Sequence, residues 1–97
     1  MSDRLTCLVP GCRRSTGRTH DEWICGKHWR LAPRGDRRAM AGIARRYRRQ
    51  FGDQGYWTYP PGSDQRIAAV ELDREWRRLW AQIKEAVIAE NFMGHAA

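Results

Sequence analysis

Apolar residues recur with the period of an α-helix between residues 33 and 51. They are spaced i, i+3, i+4, i+7 and i+11, so they share one helical face. The residues on this face are Met40, Ile43, Ala44, Tyr47 and Phe51. Pro33 suits the first turn of a helix, and Gly52 suits the position that ends one. The pattern predicts an amphipathic helix over residues 33–51 that buries one apolar stripe.

The opposite face of this predicted helix is almost purely arginine. At 3.6 residues per turn, six arginines share an arc of about 120°, and Arg46 lies apart from them. The six are Arg34, Arg37, Arg38, Arg45, Arg48 and Arg49. Like charges at i, i+3 and i+4 repel each other, whereas an ordinary solvated face mixes signs. We therefore favour an anionic partner for this face, and a plain solvated face is the alternative.

A second and longer helix is predicted over residues 64–92, with Ser63 or Asp64 as its N-cap and Gly94 as its stop. One apolar stripe recurs at 4-3-4-3 spacing with two flanking residues, and a second apolar set lies on the far side. The stripe and its flanks are Leu72, Trp76, Leu79, Trp80, Ile83, Ala86 and Val87, and the far set is Val70, Ala81, Ile88 and Phe92. We expect Trp76 and Trp80 in the core. Either the N-terminal part of the chain covers both faces, or a second copy covers one in a homodimer formed through this helix.

Residues 52–63 connect the two predicted helices. Their sequence, Gly-Asp-Gln-Gly-Tyr-Trp-Thr-Tyr-Pro-Pro-Gly-Ser, is too rich in Gly and Pro for a helix. Tyr56, Trp57 and Tyr59 could stack on nucleobases, or they could fold back as the lid of a small core. The lid is the interpretation that we favour.

Composition narrows the class of protein. A chain of 97 residues is expected to form one domain with no room for a second core. No apolar run approaches the roughly 18 residues of a membrane span, and the first residues lack the apolar stretch of a signal peptide. We therefore expect a soluble, cytoplasmic protein that has no disulfide framework and no contact with a membrane.

The positive charge is concentrated in the first half of the chain. Residues 1–51 carry 13 Lys/Arg against 4 Asp/Glu, whereas residues 52–97 carry 5 against 7. All but two of the 18 basic residues are Arg, whose planar guanidinium binds phosphate with two hydrogen bonds. A GC-rich genome explains a preference for Arg over Lys, but it does not explain the clustering. The asymmetry points to nucleic acid or an acidic protein surface as the partner.

Three cysteines and one histidine form the strongest motif of the sequence. Cys7, Cys12, Cys25 and His28 follow the spacing C-x4-C-x12-C-x2-H. Zinc takes four such ligands in a tetrahedron. A Pro-Gly pair before Cys12 favours a tight turn, and residues at i and i+3 share one face of a helical turn. The motif predicts one structural Zn²⁺ per chain in a treble-clef zinc finger, since four protein ligands leave no position open for water.

Two alternatives to this ligand set stand beside it. His20 is a rival for the fourth position, although a solvated turn suits its polar surroundings better. The cysteines could also be three unrelated buried residues. In the zinc interpretation, residues 1–31 form the zinc module, and Thr19–Trp23 is expected to be the second strand of a short hairpin.

The segment Ile-Cys-Gly-Lys-His-Trp-Arg at residues 24–30 follows a Pro-Gly-Cys knuckle and precedes an arginine-rich helix. In these features the chain resembles small treble-clef zinc-binding proteins of phage and prophage type. It is also similar to the zinc knuckles attached to His-Asn-His nucleases. The resemblance covers roughly residues 5–50, and the Cys-x2-His-Trp run is its sharpest part. It implies a treble-clef zinc site and suggests nucleic-acid binding, and it carries over no catalytic residue.

These patterns predict a small, α-rich α+β fold in which an N-terminal treble-clef zinc finger precedes two antiparallel helices. We expect a non-enzymatic protein that binds nucleic acid through basic residues of the knuckle loop and of the first long helix. These residues are Arg13, Arg14, Arg18, Arg34, Arg37, Arg38, Arg45, Arg48 and Arg49. The alternative is an adaptor or inhibitor that docks on an acidic surface or in a nucleic-acid channel of a larger complex. A His-Asn-His nuclease is disfavoured because His28 is assigned to zinc and Asn91 lies far along the chain.

Overall fold

A computed structural model describes residues 4–17 and 21–96, with the side chains of the last two of these left aside. The described residues form a short antiparallel sheet, three α-helices and one 3₁₀ turn. The elements are β1 (Leu5–Thr6), β2 (Ser15–Thr16), α1 (Gly26–Trp29), α2 (Arg34–Phe51), the turn Tyr56–Thr58 and α3 (Asp64–Ala96). The expectation of a small, helix-rich structure with a minor β component is confirmed.

The hairpin forms earlier in the chain than predicted. Leu5 pairs with Thr16 and Thr6 with Ser15. The predicted strand over Thr19–Trp23 is wrong for residues 21–23, which are not in a strand, and residues 19 and 20 lie outside the described part of the chain. The physical reason is the tight turn at the Pro-Gly pair. Because this turn reverses the chain, the second strand follows it within a few residues and pairs with β1.

The chain divides into two compact units. The first comprises Met1–Pro33 together with Lys84–Ala97, and the second comprises Arg34–Ile83. Within the described residues, the apolar side chains buried in the first unit are Cys7, Val9, Ile24, Cys25, Ala32 and Val87. Those buried in the second unit are Met40, Ile43, Ala69, Leu72 and Ile83. Each unit therefore has its own small set of buried residues.

Helix α2 follows its sequence pattern closely. It begins at Arg34, one residue later than predicted, and its apolar stripe faces inward, with Met40 and Ile43 buried and Tyr47 half-buried. Gly52 ends the helix with a left-handed backbone (φ 60°), and its N–H donates to the carbonyl of Arg48 at 2.9 Å. The predicted stripe and C-terminal stop of this helix are both confirmed.

The aromatic residues of the connection between α2 and α3 differ in burial. Tyr59 packs edge-on against Phe51, with 5.7 Å between ring centroids, and Tyr56 lies under the guanidinium of Arg66 at 5.8 Å. These two tyrosines are half-buried, as a lid requires. Trp57, in contrast, is 70% exposed. The lid interpretation therefore holds for the tyrosines and is wrong for the tryptophan.

Helix α3 is capped as expected but runs further than predicted. The Ser63 hydroxyl oxygen accepts the N–H of Arg66 at 3.3 Å, which identifies Ser63 as the N-cap. Gly94 does not stop the helix because it lacks the positive φ of a helix-ending glycine, and α3 continues to Ala96. Its 33 residues correspond to a length of about 50 Å.

The two apolar sets of α3 differ in burial. Leu72, Ile83 and Val87 of the first stripe are buried, whereas Trp76 is 37% exposed and stacks on Trp80 at 5.9 Å. Trp76 is therefore less buried than expected for a core residue. In the far set Ile88 is exposed, and Phe92 is 70% exposed. Among the described residues, no helix combines the length and the apolarity that a membrane crossing needs.

The helical glycine of α2 offers a test of this fold. A methyl group at Gly42 would meet only the Arg45 guanidinium, at an ordinary contact distance of 3.9 Å. Gly42→Ala should therefore raise the free energy of unfolding by about 0.5–1 kcal/mol, since Gly is the costlier residue in a helix. The matched change Ala41→Gly, at an exposed position of the same helix, should lower it by a similar amount. Urea unfolding measures both, and a lower midpoint for Gly42→Ala would contradict the placement of this helix.

Candidate functional site

The knuckle between β1 and β2 positions two of the cysteines. The backbone turns between Val9 and Cys12, where the Cys12 N–H donates to the Val9 carbonyl at 3.1 Å. Gly11 adopts a positive φ of 85° within this turn, a conformation that favours glycine. The Cys7 N–H donates to the carbonyl of Arg14 at 2.8 Å and so closes the loop. The turn thereby brings the side chains of Cys7 and Cys12 to the same side.

The other two candidate ligands lie at the start of α1. Cys25 is the N-cap residue, with extended backbone, and its carbonyl accepts the N–H of Trp29 at 2.8 Å. His28 follows one helical turn later, on the same face as Cys25. The segment before α1 is held by the Leu8 N–H, which donates to the carbonyl of Trp23 at 2.8 Å. An ion pair from Lys84 of α3 to Glu22, at 2.9 Å, adds a further contact within the same unit.

The four side chains converge on one point. The sulfur atoms of Cys7, Cys12 and Cys25 and a ring nitrogen of His28 all lie within 4.8 Å of one another. The Sγ atoms of Cys12 and Cys25 are 3.9 Å apart, and the His28 Nδ1 is 3.7 Å from the Cys7 Sγ and 3.3 Å from the Cys25 Sγ. A tetrahedral ion with bonds of about 2.0–2.3 Å would separate its ligands by about 3.5–3.8 Å. The observed spacing fits such an ion.

The sequence pattern predicted this set of four residues, and the structure brings all four together. None of the three cysteines forms a disulfide. Two of them, Cys7 and Cys25, are buried, and Cys12 is half-buried. The rival ligand, His20, lies outside the described residues, as does Arg18 of the predicted binding residues. Within the described part of the chain, this is the cluster of His, Cys, Asp and Glu side chains that could hold a metal ion.

Burial and hydrogen bonding shift the pKa values of two of the cluster thiols in opposite directions. Burial raises the pKa of the Cys7 thiol, and backbone N–H groups offset that effect only in part. Burial also acts to raise the pKa of Cys25, but hydrogen bonds from the His28 backbone and the neighbouring sulfurs outweigh it and lower that pKa. The Cys25 N–H in addition donates to the Cys7 sulfur at 3.3 Å. A metal ion would stabilise all three sulfurs as thiolates.

A cleft adjoins the exposed edge of this cluster. Its volume is about 750 Å³, and both Cys12 and His28 contribute to its wall. Arg13 and Arg14, two of the predicted binding residues, also line it, together with Lys27. Lys27 was not among the sequence-predicted residues, although its position between two candidate metal ligands was a signal for it.

The arginines of α2 form the second candidate site. Six of the seven are exposed: Arg34, Arg38, Arg45, Arg46, Arg48 and Arg49. Five of these belong to the predicted arginine face, whereas Arg46 is the one predicted to lie apart from it. Arg37 departs from the prediction because it is half-buried, and its Nε atom is buried with no hydrogen-bond partner among the described residues. None of the seven forms an ion pair with a described residue. Asp36 is the one acidic residue of the helix.

Comparison of the chain with protein-family models, with curated proteins and with solved structures gave no significant match. The assignment of the cluster as a candidate metal site consequently rests on the geometry of its four side chains.

Removal of single ligands tests the metal site. Purified without chelator, the protein should carry one metal ion per chain by elemental analysis. Cys12→Ser and His28→Gln should each lower that content strongly, since a structural site needs all four ligands. His20→Gln, the matched change at the rival histidine, should leave it unchanged. Metal content near zero in the unmodified protein would refute the site, and loss of metal in His20→Gln instead of His28→Gln would refute the ligand set.

Proposed function

We propose that the protein is a non-enzymatic zinc-binding module that binds nucleic acid through the arginine face of α2. The observation that carries this proposal is the face itself: five of its six arginines are exposed, and none of the six is ion-paired with a described residue. The exposed arginines of the knuckle loop, Arg13 and Arg14, supply further positive charge.

Zinc is the ion that the ligand chemistry supports best. Three thiolates and one imidazole form a soft to borderline donor set, which zinc, of the common cellular metals, occupies as a closed tetrahedron. All four positions are then protein atoms, so the metal has a structural role and no water to activate. The knuckle, the two short strands that flank it and the ligand pair at the start of α1 support the proposal of a treble clef, of the type found in small phage proteins.

The arginine face suits phosphate better than bulk water. Its guanidinium groups repel one another along a single helix, and one carboxylate, Asp36, does little to offset them. A polyanion relieves this repulsion and releases its own counterions on binding, which favours association. Because the face consists of arginine with no variety of hydrogen-bonding groups, it suits contacts to phosphates more than readout of base edges.

Packing on the opposite side of α2 holds the backbone of this face in place. Met40 and Ile43 are buried, and Tyr47 donates a hydrogen bond from its hydroxyl to the carbonyl of Gln54 at 2.6 Å. Helix α3 differs in charge, since it mixes signs and pairs Arg77 with Asp73 at 2.8 Å. The contrast between the two long helices favours a partner for α2 in particular.

Salt dependence tests this function. If about six guanidinium groups contact phosphates, the slope of log K against log salt for duplex DNA should be roughly −5, at about 0.9 per phosphate. Replacing Arg38, Arg45 and Arg49 together with Gln should reduce the slope by about 2 to 3 and weaken all DNA sequences alike. The fold should survive because the three side chains are exposed. Circular dichroism would confirm that it does.

A matched variant separates location from net charge. Arg74, Arg77 and Arg78 of α3 replaced by Gln lower the net charge by the same three units. The exposed Arg77–Asp73 pair contributes little to stability, so this variant should also fold. Equal losses of affinity in the two variants would contradict a specific role for α2. Absence of nucleic-acid binding even at low salt would reject the function and favour an adaptor that docks on an acidic protein surface.

A further inference from the structure

The cleft beside the four candidate metal ligands differs in composition from the arginine face of α2. It lies entirely within the unit that contains the cluster, and its lining combines three cationic side chains, Arg13, Arg14 and Lys27, with one carboxylate, Glu90. All three cations are exposed, and none forms an ion pair with a described residue. The wall stays positive even when the single negative charge of a zinc–trithiolate–imidazole centre is counted.

The metal ligands fix where these cations lie. Arg13 and Arg14 follow directly after Cys12, and Lys27 directly precedes His28. The Arg14 carbonyl is also tied to the Cys7 N–H at 2.8 Å. Two separate segments thus present their charges to one cleft, because the candidate ligands next to these cations in sequence meet at the cluster. Such preorganisation lowers the cost of ordering long side chains around a ligand.

The size of the cleft and the rest of its wall indicate a ligand that is larger than a bare anion. Its volume of about 750 Å³ lies within the range of small-molecule sites, roughly 300–1,000 Å³. Pro10 and Leu31 add apolar surface to the same wall. A phosphate monoester carries about −1.5 to −2 at neutral pH and has three acceptor oxygens for the three cationic side chains, whereas a phosphodiester has only two non-bridging oxygens. A flat nucleobase would suit the apolar part of the wall.

We propose that this cleft binds the phosphate monoester of a nucleotide, with the phosphate at Arg13, Arg14 and Lys27 and the base against Pro10 and Leu31. The ligand is either a free mononucleotide or the 5′-phosphorylated end of a single strand, which share this chemistry. The second case rests on the proposed nucleic-acid function and narrows it, because the arginine face would bind the strand while the cleft selects its end.

Two short single strands test the proposal on the full, zinc-loaded chain. They share one sequence and a 3′ dye and differ only in carrying a 5′-phosphate or a 5′-hydroxyl. Fluorescence anisotropy should show about tenfold tighter binding of the 5′-phosphorylated strand, the effect expected of one or two charge-assisted hydrogen bonds. A 5′-hydroxyl strand longer by one nucleotide controls for added charge and should gain much less. Equal affinity of the phosphorylated strand and this longer strand would overturn the proposal.

Variants locate the preference. Arg14→Gln and Lys27→Gln should each remove most of the preference for the 5′-phosphate while the metal content stays at one per chain. Arg30→Gln is the matched control, since this exposed arginine lies in the same unit but does not line the cleft. The triple change in α2 should weaken both strands and keep the preference. Loss of the preference in Arg30→Gln or in the α2 variant, but not in the cleft variants, would overturn the assignment.

Competitors identify the ligand class. Adenosine monophosphate, measured directly by calorimetry, should bind to the cleft, and adenosine should not. If the protein bound this nucleotide but no strand, the nucleotide site in the cleft would be supported and the nucleic-acid function would be rejected. Failure of the cleft proposal can therefore be told apart from failure of the proposed function. If inorganic phosphate or phosphoserine competed as well as the nucleotide did, the cleft would be a general anion or phosphopeptide site, and the nucleotide assignment would be wrong.

Discussion

The convergence of three sulfur atoms and one imidazole within 4.8 Å is the constraint on which the N-terminal unit depends. Three cysteines at this distance would repel one another as thiolates, and as buried thiols they make only weak hydrogen bonds. A metal ion would remove both costs and replace the extensive core that so short a segment lacks. The buried residues Val9 and Ile24 adjoin cluster residues in sequence, so apolar burial and the ligand geometry constrain the same backbone.

Elements whose signal is local could be predicted from the sequence. The C-x4-C-x12-C-x2-H spacing named all four cluster residues because ligand chemistry restricts both residue type and turn geometry. The stripe of α2 and its stop at Gly52 could be predicted because periodicity and a positive-φ glycine act within a few residues. The N-cap of α3 could be narrowed to Ser63 or Asp64 for the same reason, since a capping side chain bonds a backbone N–H only two or three residues away, and the Ser63 hydroxyl makes that bond.

Features that depend on the path of the backbone could not be predicted. The strand Ser15–Thr16 pairs with Leu5–Thr6 because the knuckle turn fixes the register. The hydropathy of residues 19–23, where the strand was predicted, contains no information about that turn. Gly94 stays helical because a glycine favours a helix end but does not impose one. The cleft that Lys27 lines likewise combines segments from the two ends of the chain, residues 10–14, 27–31 and 90–94, which no local pattern brings together.

The two cationic surfaces are held in place by different forces. Apolar packing of Met40 and Ile43 holds the arginines of α2, whereas the ligand cluster holds Arg13, Arg14 and Lys27. If the cluster holds zinc as proposed, loss of the ion should disorganise the cleft first, because structural zinc contributes on the order of 10–16 kcal/mol to the folding of small zinc fingers. Loss of metal would affect the arginine face only if it also affected the folding of α2. Positive charge alone thus does not make the two surfaces equivalent: if both bind anions as proposed, what holds each group of cations in place determines the conditions under which it binds.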